Sequence, residues 1–325
     1  MDDTQAMRRA VELSGPVLGS TSPNPPVGAV VLDQYGEVVG EGATQPPGGP
    51  HAERVALAQA GVRGYGGTLV TTLEPCAHTG RTGPCALAVV EAGIRRVVMG
   101  YEDPTELARG GGELLRAAGA EVSELPPPDG PGPLEAWLHR QRTGRPFLTW
   151  KYAATLDGRS AAADGTSRWI TGETARADVH RLRAESDAVV VGAGTVLADD
   201  PELTVRPGRN RQPLRVVLDR SGRTPADARV HPALVLSGTP GQVLQDLAAR
   251  DVVSVLLEGG PTLAAAFLEA GLVDRIVGYL APALLGDGQH ALSAIGVGTI
   301  NDAVRLRIDE VTCLGEDLRL TLRRA

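Results

Sequence analysis

The sequence predicts two α/β domains in tandem, and three observations carry that expectation. Short apolar runs alternate with segments of helical period along most of the chain, which is the pattern of a sheet with helices packed on its faces. The stretch Pro126 to Pro133 holds five prolines and two glycines; it can continue neither a helix nor a central strand, so it marks a linker. A chain of 325 residues is long enough for two domains of ordinary size. The expected domains are 1–144, including the proline-rich linker 126–133, and 145–325.

In the first half, Thr4 to Leu18 has helical spacing and runs to Gly19. Val27 to Leu32 and Val38 to Glu41 flank a turn at Asp33-Gln34-Tyr35-Gly36 and read as a hairpin. His51 to Ala60 is a helix stopped by Gly61, and Thr68 to Leu73 a strand. Cys85 to Ala92, Arg96 to Gly100, Gly111 to Ala118 and Ala120 to Glu124 continue the alternation, giving a three-layer α/β domain. A connecting helix is expected over Leu134 to Arg142. The second half has strands at Phe147 to Ala154, Ala188 to Val191, Leu214 to Leu218, Ala233 to Leu236, Ser254 to Leu257 and Arg275 to Leu280, with a closing strand at Asp317 to Leu322. Helices at Glu173 to Ala184, Gly241 to Ala249 and Pro261 to Glu269 fall between them, so the sheet is expected to be largely parallel.

Composition narrows the function. Aromatic residues are 3% of the chain, so aliphatic side chains must fill the cores. A net charge of −7 argues against a broad nucleic-acid surface. The acidic opening Met1-Asp2-Asp3-Thr4 has no apolar core behind it, and no apolar run reaches membrane-spanning length. Three cysteines, two of them in a metal-like pattern, suit a reducing compartment better than a disulfide framework. The expected setting is the cytoplasm. Cys313 lies outside the pattern and is expected in the core.

The chemistry is densest at His51-Ala52-Glu53, Pro75-Cys76 and Pro84-Cys85. One imidazole and two thiolates are good zinc ligands, and three protein ligands leave the fourth tetrahedral position open. Glu53 is then a spare carboxylate, suited to moving a proton between a zinc-activated water and a leaving amine. Each cysteine follows a proline and is expected to open a helix, whose N-terminus favours the thiolate. A structural zinc site would want a fourth ligand, for which His78 is the candidate; it is read as a loop residue.

Eight residues separate the two cysteines, from Ala77 to Pro84, against two in common nucleoside deaminases. Together with Ser22-Pro23-Asn24-Pro25-Pro26-Val27-Gly28 and Leu73-Glu74-Pro75-Cys76-Ala77-His78-Thr79-Gly80-Arg81, this long loop resembles the deaminase half of the bifunctional riboflavin biosynthesis (RibD) family. The resemblance implies a cytidine-deaminase-like first domain. That domain would deaminate 2,5-diamino-6-(5-phosphoribosylamino)pyrimidin-4-one. It also implies Asn24 at the pyrimidine, Arg81 at the substrate phosphate and Asp103 as a further substrate contact. Thr44 and Thr105 depart from the family pattern, which commonly has His and Asn there. They keep open an alternative, a reductase with a degenerate, non-catalytic deaminase-like domain.

The second half carries the resemblance onward in Lys151 to Arg159, Ser167 to Thr171, Gly194 to Arg206 and Leu257 to Thr262. It implies a dihydrofolate-reductase-like domain that uses NADPH to reduce the ribosyl group to a ribityl chain. By the same resemblance Ser167, Arg183, Leu203 and Arg206 hold the substrate, the arginines by bidentate forks on its phosphate. Ala153, Trp169, Thr195 and Asp199 contact the cofactor, with Trp169 as a packing wall. Glu258-Gly259-Gly260 follows a strand and opens a helix, so Gly260 can admit a pyrophosphate to the helix N-terminus. Lys151 and Glu258 are expected to bind ribose hydroxyls or move protons. The remaining histidines, including His139, His180, His231 and His290, are assigned no chemistry. The expected partners are a phosphorylated pyrimidine and further copies of the chain, with no nucleic acid and no membrane.

Overall fold

The computed structural model describes residues 1–78, 83–205 and 211–325. It forms two compact units, Met1–Gly144 and Arg145–Ala325. Among the described residues no helix is long and apolar enough to cross a membrane.

The first unit runs α1 (Asp3–Ser14), β1 (Gly28–Leu32), β2 (Val38–Ala43), α2 (Ala52–Ala60), β3 (Thr68–Thr71), α3 (Cys85–Glu91), β4 (Arg96–Met99), α4 (Gly111–Ala117), β5 (Glu121–Glu124) and α5 (Glu135–Thr143). Asp2 and Gln5 close a capping box at the start of α1, satisfying two backbone donors that the helix leaves unpaired. The helix stops four residues short of Leu18 because Pro16 has no N–H to continue it, and a 3-10 turn follows over Gly15–Val17. The sheet order is β2-β1-β3-β4-β5. β1 pairs antiparallel with β2 and β3, while β3, β4 and β5 are parallel. Ala6, Met7 and Ala10 of α1 pack on Val30, Leu32, Val70 and Val98. α2 lies so close on β2 that a Cβ on Gly40 would sit 2.1 Å from the Ala56 carbonyl oxygen.

The second unit contains β6 (Phe147–Thr155), β7 (Arg159–Ala161), α6 (Glu173–Glu185), β8 (Ala188–Gly192), α7 (Ala193–Asp199), β9 (Leu214–Leu218), β10 (Leu234–Leu236), α8 (Pro240–Ala248), β11 (Ser254–Leu257), α9 (Pro261–Glu269), β12 (Arg275–Ala281), β13 (Gln289–His290), β14 (Leu306–Leu314) and β15 (Asp317–Arg324). Its main sheet is ordered β10-β9-β8-β11-β6-β12-β15-β14. The strands from β10 to β12 are parallel and the last two antiparallel. One face packs Val243, Leu244, Leu247, Phe267 and Leu268 of α8 and α9 on Leu148, Trp150, Val190 and Leu257. The other face meets α6 and α7 through Ala175, Val179 and Val196. β7 and β13 form a separate two-stranded ribbon.

Further elements differ from the sequence expectation, among them the short strands β7 and β13, which are not predicted. β14 is an edge strand whose residues are mostly exposed, and it carries Cys313 on the surface rather than in the core. α7 is a seven-residue helix immediately after β8, where the sequence predicts no element.

Candidate active sites

His51 is the residue before α2, and Glu53 sits in that helix's first turn. Gly40 and Gly42 allow α2 to approach the sheet, and so fix where both side chains point. Cys85 opens α3. Cys76 does not open a helix; it lies in the irregular segment after β3. The first turn of α3 nevertheless serves it, because the Cys85 backbone N–H donates to Cys76 Sγ at 3.4 Å. A helix N-terminal donor thus supports the Cys76 sulfur from outside its own segment.

His51 Nδ1 is 3.7 Å from Cys76 Sγ and 3.3 Å from Cys85 Sγ. The three donor atoms lie within 4.8 Å of one another, and this is the one group of metal-ligating type among the described residues. Tetrahedral zinc with Zn–S near 2.3 Å and Zn–N near 2.0 Å separates its ligands by roughly 3.5–3.8 Å, so the set fits zinc. Among the described residues His78 is not in the group, so three protein donors would hold the ion.

Glu53 is 4% exposed. Burial pushes its carboxyl up to about 7, against an opposing pull from its own backbone N–H and the His51 charge. The hydrogen bond from Cys85 holds Cys76 well below the usual thiol range, at about 4, and His51 adds to this. The same bond, with burial, pushes Cys85 up. A carboxyl poised near neutrality can both accept and release a proton.

Asn24 is half-buried in the loop before β1, its backbone N–H bonded to the Thr21 carbonyl at 2.9 Å. Asp103 is buried. Its Oδ1 accepts from the Thr105 N–H at 2.8 Å and from Thr105 Oγ1 at 2.6 Å. Thr44 Oγ1 accepts from the Val27 N–H at 3.1 Å. Both threonines that depart from the family pattern therefore do structural work. Arg81 lies outside the described residues. Sequence reasoning passed over Arg54, whose Nη2 donates to the Gly83 carbonyl at 2.8 Å and ties α2 to the inter-cysteine loop.

In the second unit a cleft of about 1220 Å³ opens at the C-terminal ends of the parallel strands, where ligands bind in open α/β sheets. Lys151, Arg183, Leu203 and Glu258 line it; so do Ala153, Ser167, Trp169, Thr195, Asp199 and Gly260. Arg206 lies outside the described residues. The volume exceeds that of a drug-sized pocket and has room for a dinucleotide beside a sugar phosphate. Gly192 and Gly260 precede α7 and α9. A Cβ on Gly260 would lie 3.6 Å from Thr195 Oγ1, so the two helix N-termini adjoin. That is a fitting cradle for a pyrophosphate.

The expected arginine fork is differently employed. Arg183 Nε and Nη2 bond both oxygens of Glu258, at 2.5 and 2.9 Å, and Nη1 reaches the Thr204 carbonyl at 3.3 Å. Lys151 Nζ is 3.7 Å from Glu258 Oε2. Burial alone would raise the Glu258 carboxyl, but Arg183 and Lys151 outweigh it and hold it below its ordinary range. Burial lowers the Lys151 amine, only partly opposed by Glu258. Arg183 and Lys151 thus both face the Glu258 carboxylate in the cleft lining. Trp169 is 69% exposed on the rim, with the Arg176 guanidinium 4.5 Å from its ring centroid. It is a free-standing wall rather than packed core. Ser167 Oγ is 3.5 Å from Asp199 Oδ1. His180, given no role from sequence, also lines the cleft, with Nδ1 3.2 Å from the Thr204 carbonyl.

Comparison with known proteins places each unit beside a known domain type. Residues 1–101 match the cytidine and deoxycytidylate deaminase zinc-binding region, and residues 146–320 match the RibD C-terminal domain. The chain is 49% identical to riboflavin biosynthesis protein RibD of Mycobacterium tuberculosis over 98% of its own length and 96% of that protein's. It is 39% identical to the Escherichia coli RibD, covering 99% of each. An Acinetobacter baumannii RibD structure superposes with a TM-score of 0.91 at 39% identity, covering 99% of both chains. A Thermotoga maritima structure described as a diaminohydroxyphosphoribosylaminopyrimidine deaminase/5-amino-6-(5-phosphoribosylamino)uracil reductase gives 0.89 at 35% identity, again over 99% of each. With a donor set that fits zinc in one unit, a dinucleotide-sized cleft in the other and relatives aligned from end to end, the chain belongs to the RibD family of riboflavin biosynthesis proteins.

Proposed function

We infer that the chain is a bifunctional riboflavin biosynthesis enzyme, with deamination in Met1–Gly144 and reduction in Arg145–Ala325. The observation that carries the first activity is the convergence of His51, Cys76 and Cys85 beside the buried carboxyl of Glu53. The three donors hold zinc, which when bound supplies Lewis-acid activation of a water molecule. Glu53 takes a proton from the attacking water and delivers it to the departing ring amine, which leaves as ammonia. Asn24 and Asp103 orient the pyrimidine, with Arg81 at its phosphate. The intact donor set favours this over a degenerate first domain.

In the second unit NADPH, when bound, supplies the hydride that reduces C1′ of the ribosyl group. Gly260 and Thr195 seat the cofactor's pyrophosphate, and Ala153, Trp169 and Asp199 flank the rest of it. Lys151 delivers the proton that the ring oxygen needs as the C1′–O4′ bond opens. Glu258 holds Lys151 in place and binds ribose hydroxyls. Ser167, Leu203 and Arg206 hold the substrate. Arg183 contributes positive charge there rather than a free fork, since Glu258 occupies the fork.

The free thiols of the metal site suit a cytoplasmic setting. A homo-oligomer is proposed on β14, an open edge strand on which Ile308 and Val311 are each 56% exposed. The deaminase reading is tested by Glu53→Gln, which should bind zinc normally and release no ammonia from the pyrimidine substrate. Sustained turnover by that variant would remove Glu53 from the mechanism.

A further inference from the structure

We propose that Glu74 is a positioning residue for the deaminase pocket, acting by clamping the segment that presents Asp103. The inference rests on the reading of Asp103 as a substrate contact. Glu74 lies between β3 and Cys76, and the residue is 7% exposed. Its carboxylate accepts three backbone N–H groups: Asp103 on Oε2 at 3.0 Å, and Gly110 and Gly112 on Oε1 at 3.2 and 2.8 Å. Asp103 lies within the loop between β4 and α4, Gly110 ends it and Gly112 is in the first turn of α4, so a single side chain ties the loop to the helix start.

The clamped loop touches the metal ligands. Ala108 packs against Cys76 and Cys85, and its carbonyl accepts from the Ala77 N–H at 2.9 Å. The start of α4 lies directly on the Pro75 backbone, since a Cβ on Gly111 would sit 1.6 Å from the Pro75 carbonyl oxygen. Asp103 is held in turn by Thr105. The orientation of the Asp103 carboxyl thus depends on the turn at Thr105, and the place of that turn depends on Glu74.

Three converging donors require an acceptor with no proton of its own, and an ionised carboxylate offers about four lone-pair positions. Glutamine offers one oxygen and an NH₂ group, which would face an N–H and push part of the loop away. The negative charge also suits the N-terminus of α4.

The test uses the full-length, zinc-loaded protein and the pyrimidine substrate. Glu74→Gln should raise KM roughly tenfold, the cost of about one misplaced hydrogen bond. Its kcat should change much less, and both zinc content and NADPH-dependent reduction should be unchanged. Asp103→Ala should raise KM as well, and adding Glu74→Gln to it should raise KM no further. Glu74→Asp, which keeps the charge and loses the reach, should show a smaller KM rise and serves if the glutamine variant does not fold. An unaltered KM in both Glu74 variants, full additivity with Asp103→Ala, or zinc loss with KM intact would each overturn the clamp. A normal KM in Asp103→Ala would instead strike down the reading of Asp103, and the clamp with it.

Discussion

Gly42→Ala tests whether the seating of α2 sets the deaminase geometry. Gly42 faces α2 from β2, and a Cβ built there lies 2.3 Å from the Ala52 carbonyl oxygen, 2.6 Å from the Ala56 nitrogen and 2.9 Å from Val55 Cβ. Ordinary contact begins near 3.4 Å. The obstructing atoms are mostly helix backbone, so no side chain can swing aside; the helix must withdraw by roughly 1 Å, an overpacking that costs about 1–3 kcal/mol. The displaced turn is the one that carries Glu53 and follows His51. A misplacement of that size in a catalytic group lowers turnover on the order of 10²-fold. The assay is ammonia release from the pyrimidine, with thermal unfolding of the first unit measured in parallel and NADPH-dependent reduction as the internal control. Reduction should be untouched. Wild-type ammonia release with an unchanged unfolding midpoint would refute the claim that these glycines hold the site in register.

Other expectations follow from the second unit and the metal site. Lys151→Met removes the proton donor while keeping bulk; NADPH oxidation should fall by about 10²-fold or more, with cofactor affinity by fluorescence titration little changed. Glu258→Ala leaves Arg183 and Lys151 as neighbouring half-buried cations, so thermal denaturation should show a loss of about 1.5–3 kcal/mol, that of a charge-assisted hydrogen bond; a neutral effect would mean that the cluster is solvated. Asp178 meets Arg181 at 2.8 Å, Arg319 at 3.1 Å and the Tyr279 hydroxyl at 2.7 Å. Burial opposes its ionisation, but these partners win and hold its carboxyl below the ordinary 3.8. The stability it contributes is therefore complete above pH 3.8 and is lost as pH falls through the lower native value. Thermal melts between pH 5 and pH 2 should show this loss in the parent and less of it in Asp178→Asn. Cys85→Ser should lower zinc content by metal analysis and abolish ammonia release, while reduction continues.

The metal site was legible because its chemistry is written in residue type and spacing: His51 two residues before Glu53, and two cysteines each behind a proline. The helix at Cys76 was misjudged on the same cue, since a preceding proline fits an extended segment as well as a helix start. β14 went unseen because Leu306 to Leu314 intersperses charges among apolar residues, and an exposed edge strand need not show the alternation of a half-buried one. The partnership of Arg183 with Glu258 joins residues 75 apart in sequence. No local pattern reports it, and a fork read as free for phosphate was taken by a carboxylate. Glu74 was quoted within a motif without a role, because its three partners are backbone groups that become visible only once the β4–α4 loop is folded back.

The most direct test of the account measures both half-reactions on one preparation before and after treatment with a zinc chelator. Ammonia release from the pyrimidine should stop and return on adding zinc, while NADPH oxidation with the deaminated product should proceed throughout. Ammonia release that ignores the chelator, or reduction that fails along with it, would contradict the assignment of two independent chemistries to the two units.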